Sequence, residues 1–299
     1  MKPTLAVVIR GQMREWNNAK FSIINFIDTL NNYFDTTTFF VTWNESYIPT
    51  YHSNRFDEAP TKFGLVSIGE TERLQIAEDL SSLNIGTIEI INKEEMKARH
   101  FSGLSMNEEY EQISFIKYFA NLLKQQFENE NGIVFDFVLD LRPDLFIIPS
   151  FIGLIEEKSK KKNGSFTFDA LTTTFSRTHD FDFFNQLPQV NSLFTEDLLI
   201  FSDSSTSDLI NSEFHYLKNS RHAEVMSVFN PHHLFSDHLL KMRLINTHCM
   251  QDLVESVSII RPKTFFLGPV DFTDISQTTL EKVRLANKIF QQTKEKLIK

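Results

Sequence analysis

Leu5 to Ile9 are five consecutive apolar positions, three of them β-branched, closed by Arg10-Gly11-Gln12. A run of that length ending in turn residues marks a strand buried on both faces. Trp16, Phe21, Ile24, Phe26, Ile27 and Leu30 then recur at helical spacing. Thr38 to Thr42 repeats the strand pattern and stops at Trp43-Asn44. Residues 48–62 contain Pro49, Asn54, Asp57 and Pro60 without a period, and read as a loop. Beyond them the pattern predicts a helix over 70–82, a strand over 86–91 and a long helix over 107–128. Asn107 is that helix's expected N-cap, and Tyr110, Ile113, Ile116, Ala120 and Leu123 form its apolar face. Val134 to Leu139 is a further strand that runs into Asp140-Leu141-Arg142-Pro143-Asp144. Pro143 lacks an N–H for a sheet ladder, so the strand should end there.

Strand and helix thus alternate through the first half, the pattern of an α/β fold with a mostly parallel, doubly wound sheet. The second half is less regular. A basic run of Lys158 and Lys160 to Lys162 opens it, Ser165 to Thr173 and Asp197 to Phe201 read as strands, and residues 232–244 and 278–298 as helices. Neither an internal repeat nor a low-complexity linker divides the chain. The expectation is one domain over 1–299 with a C-terminal α/β elaboration.

Composition narrows the function classes. With 41% hydrophobic and 23% charged residues, the 299-residue chain has the apolar content for a substantial core. Thirty Lys and Arg against 39 Asp and Glu give a net charge of −9, which argues against a broad nucleic-acid footprint. Cys249 is the only cysteine, so no intramolecular disulfide or cysteine-rich zinc site can form, and a cytoplasmic setting is expected. The first apolar run is too short for a signal peptide, and no uncharged stretch approaches the roughly 18 residues of a membrane-spanning helix. Any membrane contact would be peripheral. Residues 278–299 offer one means: Val283, Ala286, Phe290, Thr293 and Leu297 form an apolar stripe beside Lys282, Arg284, Lys288, Lys294, Lys296 and Lys299. That stripe could equally pack on the domain.

Several signatures are absent. There is no Gly-x-Gly-x-x-Gly, no Gly-x-x-x-x-Gly-Lys-Ser/Thr and no Gly-x-Ser-x-Gly. His232, His233 and His238 match no zinc spacing and read as helix-start and surface residues.

Three clusters remain, each at the C-terminal end of a strand, where open α/β sheets bind ligands. In Asp140-Leu141-Arg142-Pro143-Asp144 the two carboxylates could hold a divalent cation through hard oxygen ligands, and Arg142 could offset diphosphate charge. Alternatively, an Asp–Arg pair pins the turn. In Arg10-Gly11-Gln12-Met13-Arg14, Gly11 permits a tight turn close to a ligand, and Arg10 and Arg14 suit an anion; the alternative is a helix-entry turn with solvated arginines. In Thr42-Trp43-Asn44, Trp43 could stack on a base or sugar, or fill the core.

Read together, Val8-Ile9-Arg10-Gly11-Gln12-x-Arg14, Phe40-Val41-Thr42-Trp43, Gln112 on a long helix, and Phe135 through Asp140-Leu141-Arg142-Pro143-Asp144-Leu145-Phe146 resemble a group of GT-A-like glycosyltransferases. That group serves bacterial and viral surface-polysaccharide systems, including the lipopolysaccharide-synthesis type. The likeness covers roughly residues 4–150 and extends more weakly to Asp197 through Ser202. It implies a GT-A-like fold, with residues 1–150 binding a nucleotide-sugar donor and 151–277 forming the acceptor side. The acceptor would be a glycan or lipid-linked, on the cytoplasmic side of a membrane. Arg10, Gly11, Gln12, Arg14, Thr42, Trp43, Asn44 and Arg142 would bind the donor. Asp140 and Asp144 stand where the group's Asp-x-Asp would hold Mn²⁺ or Mg²⁺. The Asp140-x-Arg142-x-Asp144 spacing departs from that motif and leaves open whether a cation is used or Arg142 takes part of its task. Asp197 and Asp237 are the candidate bases for the acceptor hydroxyl. The alternatives are a nucleotidyltransferase of the same sheet type and a binding protein that has lost the chemistry.

Overall fold

The computed structural model describes residues 1–13, 16–49, 62–101, 108–147, 171–174, 195–215, 235, 238 and 257–259. Asn107, Arg14, Asp237, the His232-His233 pair and the predicted helix over 278–298 lie outside these residues, as does all of the predicted helix over 232–244 except Phe235 and His238.

The elements in chain order are β1 (Thr4–Arg10), α1 (Trp16–Leu30), β2 (Asp35–Trp43), β3 (Glu45–Pro49), β4 (Lys62–Ser67), α2 (Glu70–Asp79), β5 (Ile85–Ile91), α3 (Lys93–Met96) with a π-helical turn Lys97–Phe101, α4 (Glu108–Asn131), β6 (Phe137–Leu141), β7 (Leu145–Ile147), β8 (Leu171–Thr174), β9 (Thr195–Asp203), α5 (Ser204–Asn211) and β10 (Val257–Ile259). A six-stranded sheet runs β5-β2-β1-β6-β9-β8. β5, β2, β1 and β6 are parallel, and β9 is antiparallel to both neighbours. The fold is α/β with a mostly parallel sheet wound on both faces, as the alternating pattern predicts.

The pleat sorts the core residues. Odd positions of β1 (Leu5, Val7, Ile9) join Phe40, Leu139, Leu199 and Phe201 under Trp16, Ile23, Phe26 and Ile27 of α1 and Ile76 of α2. Even positions (Ala6, Val8) join Phe39, Val41, Trp43 and Val138 under Phe115, Ile116 and Ala120 of α4. Both faces of β1 are therefore covered, which is why its sequence does not alternate. Gly132, at φ +63°, closes α4, with the Ile133 N–H donating to the Glu128 carbonyl at 3.0 Å.

The structure departs from the sequence expectations at several points. Residues 48, 49 and 62 are not loop: β3 and β4 pair as an antiparallel hairpin whose register shifts at Tyr47/Ile48, an irregularity that erases a readable period. β6 starts at Phe137 and not at Val134, because Asp136 is held at the strand mouth, its Oδ2 accepting from the Thr4 N–H and its N–H donating to Thr4 Oγ1, each at 2.9 Å. α2 ends at Asp79, whose carboxylate accepts from Trp16 Nε1 at 2.9 Å and Lys20 Nζ at 2.8 Å, tying α2 to α1. Phe21, expected on the apolar face of α1, is exposed. His238 is buried, not on the surface.

Candidate functional site

The chain places β1, then β2 and β5 to one side, then returns to place β6 on the other. The strand order reverses between β1 and β6, and the crevice beyond their C-terminal ends is the ligand position this topology offers. Ile9 pairs with Leu141, so Arg10-Gly11-Gln12 and Arg142-Pro143-Asp144 leave the sheet side by side.

Their contact is specific. Gly11 has φ +133°, and its N–H donates to the Val41 carbonyl at 3.1 Å, anchoring the turn to β2. A Cβ on Gly11 would meet Pro143 Cδ at 3.3 Å, so the missing side chain lets the two turns touch. On the α4 side of the sheet, Arg10 Nε donates to Asp140 Oδ1 at 2.6 Å, with both side chains at most 3% exposed. Breaking such a pair leaves an uncompensated buried charge, a loss of about 3–5 kcal/mol. Next to it Arg142 grips Asp144 with a fork, Nε to Oδ1 at 2.9 Å and Nη2 to Oδ2 at 2.5 Å. β7 then carries the chain to the α1 side, where the Ile147 N–H donates to Ser22 Oγ at 2.9 Å, and β10 pairs with β7.

Of the residues singled out by sequence, Arg10, Gly11, Asp140, Arg142 and Asp144 come together here, with half-buried Gln12 following Gly11. The third cluster begins beside them, just after Val41, whose carbonyl holds Gly11, and its tryptophan turns inward to α4. Trp43 is buried, its ring stacked on Phe115 at 5.9 Å, and Thr42 is fully buried. Asn44 is structural mortar: its N–H donates to Ile91 O at 2.8 Å, its carbonyl accepts from the Ile68 N–H at 2.7 Å, and its Oδ1 accepts from the Lys93 N–H at 3.0 Å. Asp197 lies in β9. Because β9 is antiparallel and its Leu199 pairs with Leu141, Thr195–Leu198 run past the end of β6 to the crevice side.

A divalent cation would need hard oxygen ligands and net negative charge. Here each aspartate is matched by an arginine, and both Asp144 oxygens are engaged by Arg142. Among the described residues no three His, Cys, Asp or Glu side chains converge on a point. In this arrangement the residues do not fit a metal centre.

Sequence reasoning missed a second polar cluster. Along α4, Glu111, Ser114, Lys117, Asn121, Lys124 and Glu128 are all buried at helical spacing, facing the layer that follows β9. Lys124 Nζ reaches Ser204 Oγ at 2.6 Å, Asp208 Oδ1 at 3.0 Å and Glu128 Oε2 at 3.1 Å. Lys117, 1% exposed, pairs with Glu213 at 2.5 Å and sits 3.6 Å above the Phe235 ring. His238 Nε2–H donates to the Leu209 carbonyl at 3.0 Å. Burial pushes the His238 pKa down and Lys117 adds to this; the Glu213 charge opposes them, and the net is a value below the ordinary 6.5. The readable signal was the spacing of like polar residues on α4, matched by Asp208 and Glu213 after β9.

No protein-family model matches the sequence, and no curated protein matches it. Among solved structures, the chain is similar to mouse xyloside xylosyltransferase 1 in its apo form, at 11% identity and a TM-score of 0.41 over 82% of each chain. It is also similar to the galactosyltransferase LgtC in complex with donor and acceptor sugar analogs, at 11% identity and a TM-score of 0.44 over 93% of this chain and 94% of that one.

Proposed function

We propose that the protein is a glycosyltransferase that moves a sugar from a nucleotide-sugar donor to a glycan or lipid-linked acceptor in the cytoplasm. The observation that carries this reading is the meeting of two charged turns, Arg10-Gly11-Gln12 and Asp140 to Asp144, at the switch point between β1 and β6. The order of these motifs along the sequence, which resembles surface-polysaccharide transferases, points the same way.

In this reading the donor lies across the ends of β1 and β6, its diphosphate near the two turns. The bond between the anomeric carbon and the diphosphate oxygen breaks, and its electron pair leaves with the diphosphate. The acceptor oxygen bonds to the anomeric carbon and its proton passes to a carboxylate. Asp197, on the part of β9 that overruns β6, is our candidate for that base in an inverting reaction.

Product analysis tests the reading. Incubation with nucleotide-sugars and acceptor should release nucleoside diphosphate, whereas pyrophosphate would indicate nucleotidyl transfer. Asp197→Asn should lower turnover about 10²–10⁴-fold while donor binding is kept, the range for loss of a general base. Unchanged turnover would remove Asp197 from the mechanism.

A further inference from the structure

We infer that the crevice neutralises its diphosphate with an arginine and not with a divalent cation: Asp144 orients Arg142, Asp140 anchors Arg10, and neither carboxylate is a metal ligand. This rests on the transferase reading above and specifies how its site handles charge.

Four features support it. Asp144 gives both oxygens to one guanidinium, at 2.9 and 2.5 Å, so an ion would have to compete with a bidentate arginine already in place. Asp140 is engaged by Arg10, and swinging it toward an ion would break a 2.6 Å ion pair to a guanidinium that is 2% exposed. The two arginines and two aspartates sum to zero charge, so these four side chains by themselves present no net negative charge to a cation. Finally, of the Arg142–Asp144 pair the arginine is the member that meets solvent, at 20% exposure against 3%. An incoming ligand therefore encounters a guanidinium already held in orientation, with a carboxylate behind it.

The turn explains the arrangement. Arg142 and Asp144 flank Pro143, whose Cδ is 3.3 Å from where a Gly11 Cβ would stand, so the two turns brace each other beside the fork. As the sugar–oxygen bond breaks, charge grows on the diphosphate and guanidinium N–H groups donate to its oxygens. No proton is transferred, because arginine stays protonated throughout.

Calorimetric titration of the full chain with uridine, guanosine, adenosine, cytidine and thymidine diphosphates, in EDTA and in Mn²⁺, tests the inference. The diphosphate that binds is expected to do so with the same affinity in both buffers. Arg142→Gln should weaken it about tenfold or more in each. Arg142→Lys, which keeps the charge and loses the fork, covers the case in which the glutamine variant does not fold, and it too should bind more weakly. Binding seen only with Mn²⁺, or binding indifferent to both substitutions, overturns the inference and leaves the transferase reading standing. Failure of every nucleoside diphosphate in both buffers overturns the two together.

Discussion

Trp43 and His238 show how environment decides a side chain's role. Trp43 stacks on Phe115 of α4 and is excluded from water. Trp43→Ala should therefore cost about 3–5 kcal/mol in equilibrium urea unfolding, with nucleoside diphosphate binding per folded molecule unchanged. The sequence left stacking and packing as equal readings, because a tryptophan at a strand end looks the same in both and its cover comes from a distant helix. The arginine–aspartate cluster was more legible, since strand ends are fixed by local pattern, and the Asp–Arg pinning the sequence offered as an alternative is what the geometry displays. His238 carries a pH signature. Its folded-state pKa lies below 6.5, with Glu213 and Lys117 the charged groups facing it. The folded state therefore binds fewer protons than the unfolded chain. The stabilisation is complete above the unfolded value and is lost as the pH falls through 6.5 toward the folded value. Melting temperatures measured from about pH 7 down to 5 should decline more steeply for the natural chain than for His238→Asn. Parallel curves would rule the histidine out as the source.

Among the elements, β5 depends on an absent side chain. A Cβ on Gly86 would stand 2.8 Å from Phe39 Cε1 and 2.9 Å from Thr37 Cγ2, closer than packed atoms sit. Gly86→Ala should destabilise the fold by about 1–3 kcal/mol, read as a lower denaturation midpoint at unchanged slope. Strands with continuous apolar runs were legible because burial on both faces leaves a pattern visible in one stretch of chain. The β3–β4 hairpin was not, since its strands are short, irregular in register and separated in sequence. α4 was legible as a helix but misleading as a surface. Its polar stripe is buried because Ser204, Asp208 and Glu213 come from the other half of the chain to meet it.

At the scale of the whole molecule, the sequence conveyed the kinds of elements and their order along the chain, but not their order across the sheet. That order depends on which strands pair, and pairing is a contact between remote segments. It accounts for the crevice between β1 and β6 and for the reversed β9, which brings Thr195–Leu198 to the same rim. Among the described residues no helix is long and apolar enough to cross a membrane.

The buried seam between α4 and α5 bears on how the chain is made. When residues 1–150 have left the ribosome, all four parallel strands exist, yet Lys117 still lacks Glu213, and Lys124 lacks Ser204 and Asp208. Without that layer Lys117 lies in water and Lys124 keeps only Glu128 of its own helix, so this face of α4 adds no packing to the half already made. A fragment ending at residue 150 should show helix by far-ultraviolet circular dichroism but no cooperative melt, whereas a two-state transition would mean the parallel strands suffice. The packing of this face of α4 is therefore completed only by residues 204–213, which are made after all four parallel strands.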